Sequence, residues 1–98
     1  MIEFIDFALL VNTKTFTPLK KIAEKFKRYT SNYIQIRLNK LCEQSLMETI
    51  VLNHKTYYRA TKKGYEAAME FYKVQEMDVF VNFFKKAKEQ EKISFLIQ

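Results

Sequence analysis

Between residues 17 and 60 the hydrophobic pattern runs at a helical period through two segments and then switches to β-branched runs. That succession constrains the fold more than any other feature of the chain. Leu19, Ile22, Ala23 and Phe26 form one stripe of a short helix. Ile34, Leu38 and Leu41 share one face of a second helix at ~100° per residue. The helical period then stops. Met47 to Leu52 and Thr56 to Ala60 are rich in β-branched and aromatic residues, and Asn53-His54-Lys55 between them reads as a turn, with Asn tolerant of positive φ. Two short helices followed by a hairpin predict a helix-turn-helix with a small antiparallel appendage.

The boundaries come from capping chemistry. Thr17 is the expected N-cap of the first of these helices, with Pro18 at the first helical position, where its missing N–H costs nothing, and an end near Lys27. Ser31 is the expected N-cap of the second. A short strand near Thr15-Phe16 is expected to join the hairpin sheet. A helix from about Ile2 to Val11 precedes these elements, and another starts at the Thr61 cap and runs to about Gln90. The expected organisation is one domain over residues 1–98. It comprises an N-terminal helix (1–12), a helix-turn-helix (17–44), a hairpin (46–61) and a C-terminal helix and tail (62–98).

Composition removes several function classes. The chain holds one glycine, too few for a glycine-rich phosphate or dinucleotide loop. Its one cysteine, Cys42, excludes a cysteine-built zinc site and an internal disulfide. Cys42 flanks the core stripe, which suggests a packed thiol, with an intersubunit disulfide as the alternative. His54 has no carboxylate or nucleophile near it in sequence, and the acids are scattered singly. No catalytic, metal or cofactor site is expected. No run reaches the ~20 apolar residues that span a bilayer. Acids stand at Glu3 and Asp6, where a signal peptide carries cations, so a cytoplasmic location is expected.

Charge is unevenly placed. From Lys14 to Lys63 there are twelve Lys/Arg against three Glu, while the remaining residues hold five Lys against eight Asp/Glu. A basic centre flanked by mildly acidic ends is the electrostatic footprint of a nucleic-acid partner. The face of the second helix opposite its core stripe carries Asn32, Ile36 and Asn39, flanked by Gln35 and Lys40, with Glu43 its only acid. Amides pair with adenine, lysine reaches guanine or phosphate, and isoleucine can meet a thymine methyl. Asn32, Gln35, Ile36, Asn39 and Lys40 are therefore the candidate base readers of double-stranded DNA. Lys20, Lys21, Arg28, Tyr29, Ser31, Lys55 and Arg59 are the candidate backbone contacts, and Asn53, His54 and Lys55 form the hairpin tip.

Two motifs carry a family resemblance. Arg37-Leu38-Asn39-Lys40-Leu41 followed by Ser45-Leu46-Met47 is similar to the winged-helix pattern R-L-x-x-L-x-x-x-G-L-I. Tyr58-Arg59-Ala60-Thr61-Lys62-Lys63-Gly64 resembles Y-x-L-T-x-K-G. Both are hallmarks of MarR- and PadR-like regulators and of small winged-helix proteins of archaeal viruses. The resemblance covers roughly residues 2–75. It implies a mainly α fold with a small β-hairpin, a winged helix-turn-helix plus a long C-terminal helix, and transcription regulation through DNA binding. Ser45 departs from the family glycine, and Ala60 from a larger apolar residue.

The terminal segments ask for a partner. The first helix is apolar almost all round, and the last is far longer than the ~11–12 residues of a mean helix. A symmetric homodimer through both ends is expected, with Ile5, Phe71, Met77, Phe80, Phe83 and Phe84 at the interface. The alternative is a bent pair of short helices folding back on their own core. Glu76 and Asp78 argue against a surface-lying membrane helix. No small-molecule effector is identifiable. The alternative function is a winged-helix protein–protein interaction module without DNA readout.

Overall fold

The computed structural model describes residues 2–75. Along this stretch lie α1 (Phe4–Val11), β1 (Thr17–Pro18), α2 (Leu19–Lys25), α3 (Ser31–Glu43), β2 (Met47–Leu52) and β3 (Lys55–Ala60). A fourth helix, α4, occupies residues 62–75. The architecture is a winged helix-turn-helix, mainly α with one small sheet. Residues 76–98, which include the expected interface residues Met77, Phe80, Phe83 and Phe84, lie outside the described residues.

The core forms where the apolar stripes of the helices converge. Leu9, Leu10, Ile22, Ile34, Leu38 and Leu41 are each at most 1% exposed. Burial of side chains this size is worth ~1.5–3 kcal/mol each against an exposed reference. Leu46, Met47 and Tyr58 extend the core under the hairpin, and Leu19 and Phe26 close it as half-buried edges. The buried Leu38 and Leu41 set the rotation of α3, and with it the residues α3 turns outward.

Three strands pair antiparallel in the order β1-β3-β2. The hairpin register runs from Met47↔Ala60 to Leu52↔Lys55. That leaves Asn53 and His54 as a two-residue turn, with φ of 51° and 66°. Positive φ at both central positions is the turn geometry whose twist matches a β-hairpin. The third positive-φ residue is Ser45 at 61°. Serine holds here a left-handed conformation that glycine adopts at less cost.

Gly64 serves a different need. A Cβ at this position would lie 1.9 Å from the backbone oxygen of Leu46. The start of α4 therefore meets the backbone at Leu46, the residue that leads into β2, at a distance only glycine allows. The same oxygen accepts a hydrogen bond from the Thr61 N–H at 3.1 Å, and the Thr61 hydroxyl caps α4 by accepting from Gly64 N–H at 3.0 Å.

Three expectations are corrected. Thr17 does not cap α2, because it pairs with Tyr58 as part of β1, and Pro18 takes the N-cap position. This pairing is also the third strand expected two residues earlier. The cap of α3 is Thr30, whose hydroxyl accepts from Tyr33 N–H at 3.1 Å, so Ser31 is the first helical residue. Ile5, expected at a dimer interface, is 6% exposed in the core of its own chain. On α1 it is Phe4, 68% exposed, that faces outward.

Candidate nucleic-acid interface

The outer face of α3 follows from its inner one. Ile34 and Leu38 are fully buried, so the residues about half a turn away must meet solvent. Asn32, Ile36, Asn39 and Lys40 are all exposed, and Ile36 keeps 47% of its surface in solvent. Among the described residues none of these four has an ion-pair partner. Ahead of the helix, Arg28 and Tyr29 are exposed in the loop, and Tyr29 stacks on Tyr33 with ring centroids 5.3 Å apart. Lys20 and Lys21 are exposed on α2, as is Ser31 at the start of α3. At the wing, Asn53, His54 and Lys55 are all exposed.

Two of the expected contact residues are otherwise engaged. Gln35 is half-buried, and its Nε2 donates to the Tyr58 hydroxyl at 2.6 Å and to Asn39 Oδ1 at 3.1 Å. Both amide hydrogens are used, so Gln35 is a strut between wing and helix rather than a free reader of bases. Arg59 donates to the Glu48 carboxylate opposite it across the hairpin and stacks over the Phe16 ring at 4.2 Å. Its charge is partly offset within the sheet, so it offers a phosphate less than an unpaired arginine would.

Sequence reasoning also missed a pair that orients the helix. Arg37 Nε donates to Asp6 Oδ1 at 2.9 Å, and Nη2 donates to Oδ2 at 2.5 Å. The Asp6 side chain is 4% exposed and that of Arg37 is 15%. Asp6 also accepts from Glu3 N–H at 2.9 Å, so one carboxylate caps α1 and fastens α3. The hydrogen bond to Asp6 holds the Arg37 guanidinium above its ordinary pKa, against the opposing effect of burial. Nothing in the local pattern marks a contact across 31 positions. Cys42 is half-buried, and desolvation raises its thiol pKa. Among the described residues no cluster of His, Cys, Asp and Glu suits a metal ion, and no helix is long and apolar enough to cross a membrane.

Aromatic residues of α1 and α4 also gather. Phe7 of α1 lies 5.3 Å from Phe71 and 6.4 Å from Tyr72 of α4, and Phe4 lies 6.5 Å from Phe71. Tyr72 and Val74 are exposed beside them.

No protein-family model matches the chain, and no curated protein matches it in sequence. Solved structures do resemble it. A variant of Lactococcus lactis ZitR superposes with a TM-score of 0.66 at 22% identity, covering 99% of this chain and 71% of that one. A second ZitR variant gives 0.63 at 24% identity, over 94% of this chain and 74% of the other. The reduced form of the transcriptional regulator YodB from B. subtilis gives 0.62 at 23% identity, over 74% and 72%. At this level of identity the likeness establishes the fold, and the fold is the winged helix-turn-helix that the elements of this chain build.

Proposed function

We propose that this protein is a sequence-specific double-stranded DNA-binding regulator of transcription that acts as a homodimer, with α3 in the major groove. One observation carries the reading. The inner stripe of α3 is wholly buried, while its outer face offers two amides, a lysine and an isoleucine to solvent. A major groove admits a helix of this kind and presents the donors, acceptors and methyl groups that such side chains match. Lys20, Lys21, Arg28 and Lys55 supply phosphate contacts around it, with Tyr29 and Ser31 at the helix start and His54 at the wing tip. The likeness to a transcriptional regulator in solved structures supports the same reading.

The aromatic ledge shared by α1 and α4 supports the homodimer. Phe4, Tyr72 and Val74 are exposed there beside Phe71, and the phenylalanines of residues 76–98 continue the apolar run. A two-fold pair of α3 helices entering one face of B-DNA would lie ~34 Å apart and read half-sites centred ~10 base pairs apart.

The test is binding to duplex DNA across a salt series, with light scattering in parallel. Affinity should fall linearly on a log–log plot. Neutralising Lys20, Lys21, Arg28 or Lys55 singly should flatten the slope by ~1 and weaken all sequences alike. Absence of duplex binding at low salt would sink the DNA reading, and a monomer on specific DNA would sink the dimer.

A further inference from the structure

We infer that α3 reads A·T pairs, with Asn32 and Asn39 hydrogen-bonding adenine and Ile36 seated against a thymine methyl. This rests on the DNA-binding reading and specifies its ligand.

The first argument is what α3 withholds. Arginine and lysine are the readers of guanine O6 and N7, and arginine alone presents a planar fork that meets both acceptors; of the two, the outer face of α3 keeps only Lys40. The chain has three arginines. Arg37, the only one on α3, is drawn inward by two hydrogen bonds to Asp6. Arg59 is held by Glu48 and Phe16. Arg28 stands in the loop ahead of the helix. No guanidinium is left on the outer face of α3.

The second argument is what α3 presents. Asn32, Ile36 and Asn39 are spaced by four and three residues and form one exposed stripe. A carboxamide donates to adenine N7 and accepts from adenine N6–H, whereas guanine offers acceptors at both places and would set its O6 against the amide oxygen. Ile36 has no polar atom. Packed on a G·C edge it would strip water from groups it cannot satisfy; the thymine methyl is the one apolar group the major groove displays.

The third argument is that one of the readers is held in place. Asn39 Oδ1 accepts from Gln35, and Gln35 is tied to the Tyr58 hydroxyl of β3. The carbonyl keeps a second lone pair for adenine N6–H, and the Asn39 Nδ2 hydrogens remain for N7. Gln35 and Tyr58 are positioning residues for this amide. Lys40, next to Asn39, is long enough to serve a phosphate or the edge of the site.

Selection from random duplexes, followed by modified bases in the selected site, tests the assignment. The half-site should be dominated by A·T pairs. Replacing thymine by uracil at the Ile36 contact should weaken wild type about fourfold, the transfer worth of one methyl group, and leave Ile36→Ala unaffected. Replacing adenine by 7-deazaadenine should weaken wild type about tenfold or more at one position and leave Asn39→Ala unaffected. Tyr58→Phe should shrink that N7 effect while binding to non-specific duplex stays constant. A consensus ruled by G·C pairs, equal affinity for thymine and uracil sites, or binding without sequence preference would each overturn the inference and leave DNA binding standing. No binding to any duplex would overturn both.

Discussion

The helical core and the wing each hold one arginine against a carboxylate, with Glu3 a second, exposed acid 4.0 Å from Arg37, and the two principal pairs differ in almost every respect that matters. Arg37–Asp6 joins α3 to α1 with side chains 15% and 4% exposed. Arg59–Glu48 joins β3 to β2 with side chains 43% and 44% exposed. In the core little water reaches the Asp6 carboxylate, so it depends on Arg37 and on the Glu3 N–H that completes its shell. In the wing, water solvates both partners, and screening leaves the attraction little to add. A paired arginine can therefore be a structural bolt or a neutralised surface charge. Burial decides which.

The largest expected effect comes from breaking the buried pair on one side. Asp6→Ala leaves the Arg37 guanidinium with only the exposed Glu3 carboxylate at 4.0 Å and uncaps α1, and should destabilise the fold by about 3 kcal/mol in chemical denaturation. Replacing both partners by apolar residues, Asp6→Leu with Arg37→Met, should recover most of that loss, because no uncompensated charge remains. If the double variant were as unstable as Asp6→Ala, the cost would lie in lost capping and shape rather than in the stranded charge.

The wing pair should respond weakly. Glu48→Ala should cost about 0–1 kcal/mol of stability. It should also strengthen non-specific DNA binding, since it removes an acid and releases the Arg59 charge, steepening the salt slope by up to ~1. A destabilisation as large as that of Asp6→Ala would erase the distinction between the two regions. The smallest effect is that of salt on the native protein. Between 0.1 and 1 M the screening length shrinks from ~10 to ~3 Å. Double-mutant cycles should then find the Arg59–Glu48 coupling gone and the Arg37–Asp6 coupling largely retained.

How legible each region was in the sequence follows the same division between near and distant partners. The α3 stripe, the hairpin and the Thr61 cap are local patterns, and all three form, the hairpin with a turn one residue shorter than read, since Lys55 belongs to β3. The start of α2 misled because Thr17-Pro18 is an excellent local cap, yet pairing with Tyr58 and Tyr57 takes these residues into the sheet. Cross-strand hydrogen bonding there outweighs a capping preference of about 1 kcal/mol. The Arg59–Glu48 pair was missed by one residue, because the turn expected over Asn53-His54-Lys55 would set Glu48 opposite Ala60. A two-residue turn at Asn53-His54 fixes the register, and the register sets Glu48 opposite Arg59. Gln35 as a strut needed the position of Tyr58, and Asp6 beside Arg37 needed the crossing of α1 and α3. Neither follows from periodicity, because both depend on where separate elements come to rest.

The close crossing at Gly64 makes a lever of the wing. Its fulcrum is the Leu46 carbonyl, which meets the α4 backbone directly and accepts the Thr61 N–H. With no side chain between them, α4 has no cushion on which to tilt independently of β2. From that fulcrum the hairpin extends over the six residues of β2, roughly 20 Å at ~3.3 Å per residue. A tilt of ~5° in α4, transmitted without slack, swings the His54 tip by roughly 2 Å over that arm. That swing exceeds the ~0.5 Å window within which a hydrogen bond holds, so whatever fixes the angle of α4 also sets the reach of the wing.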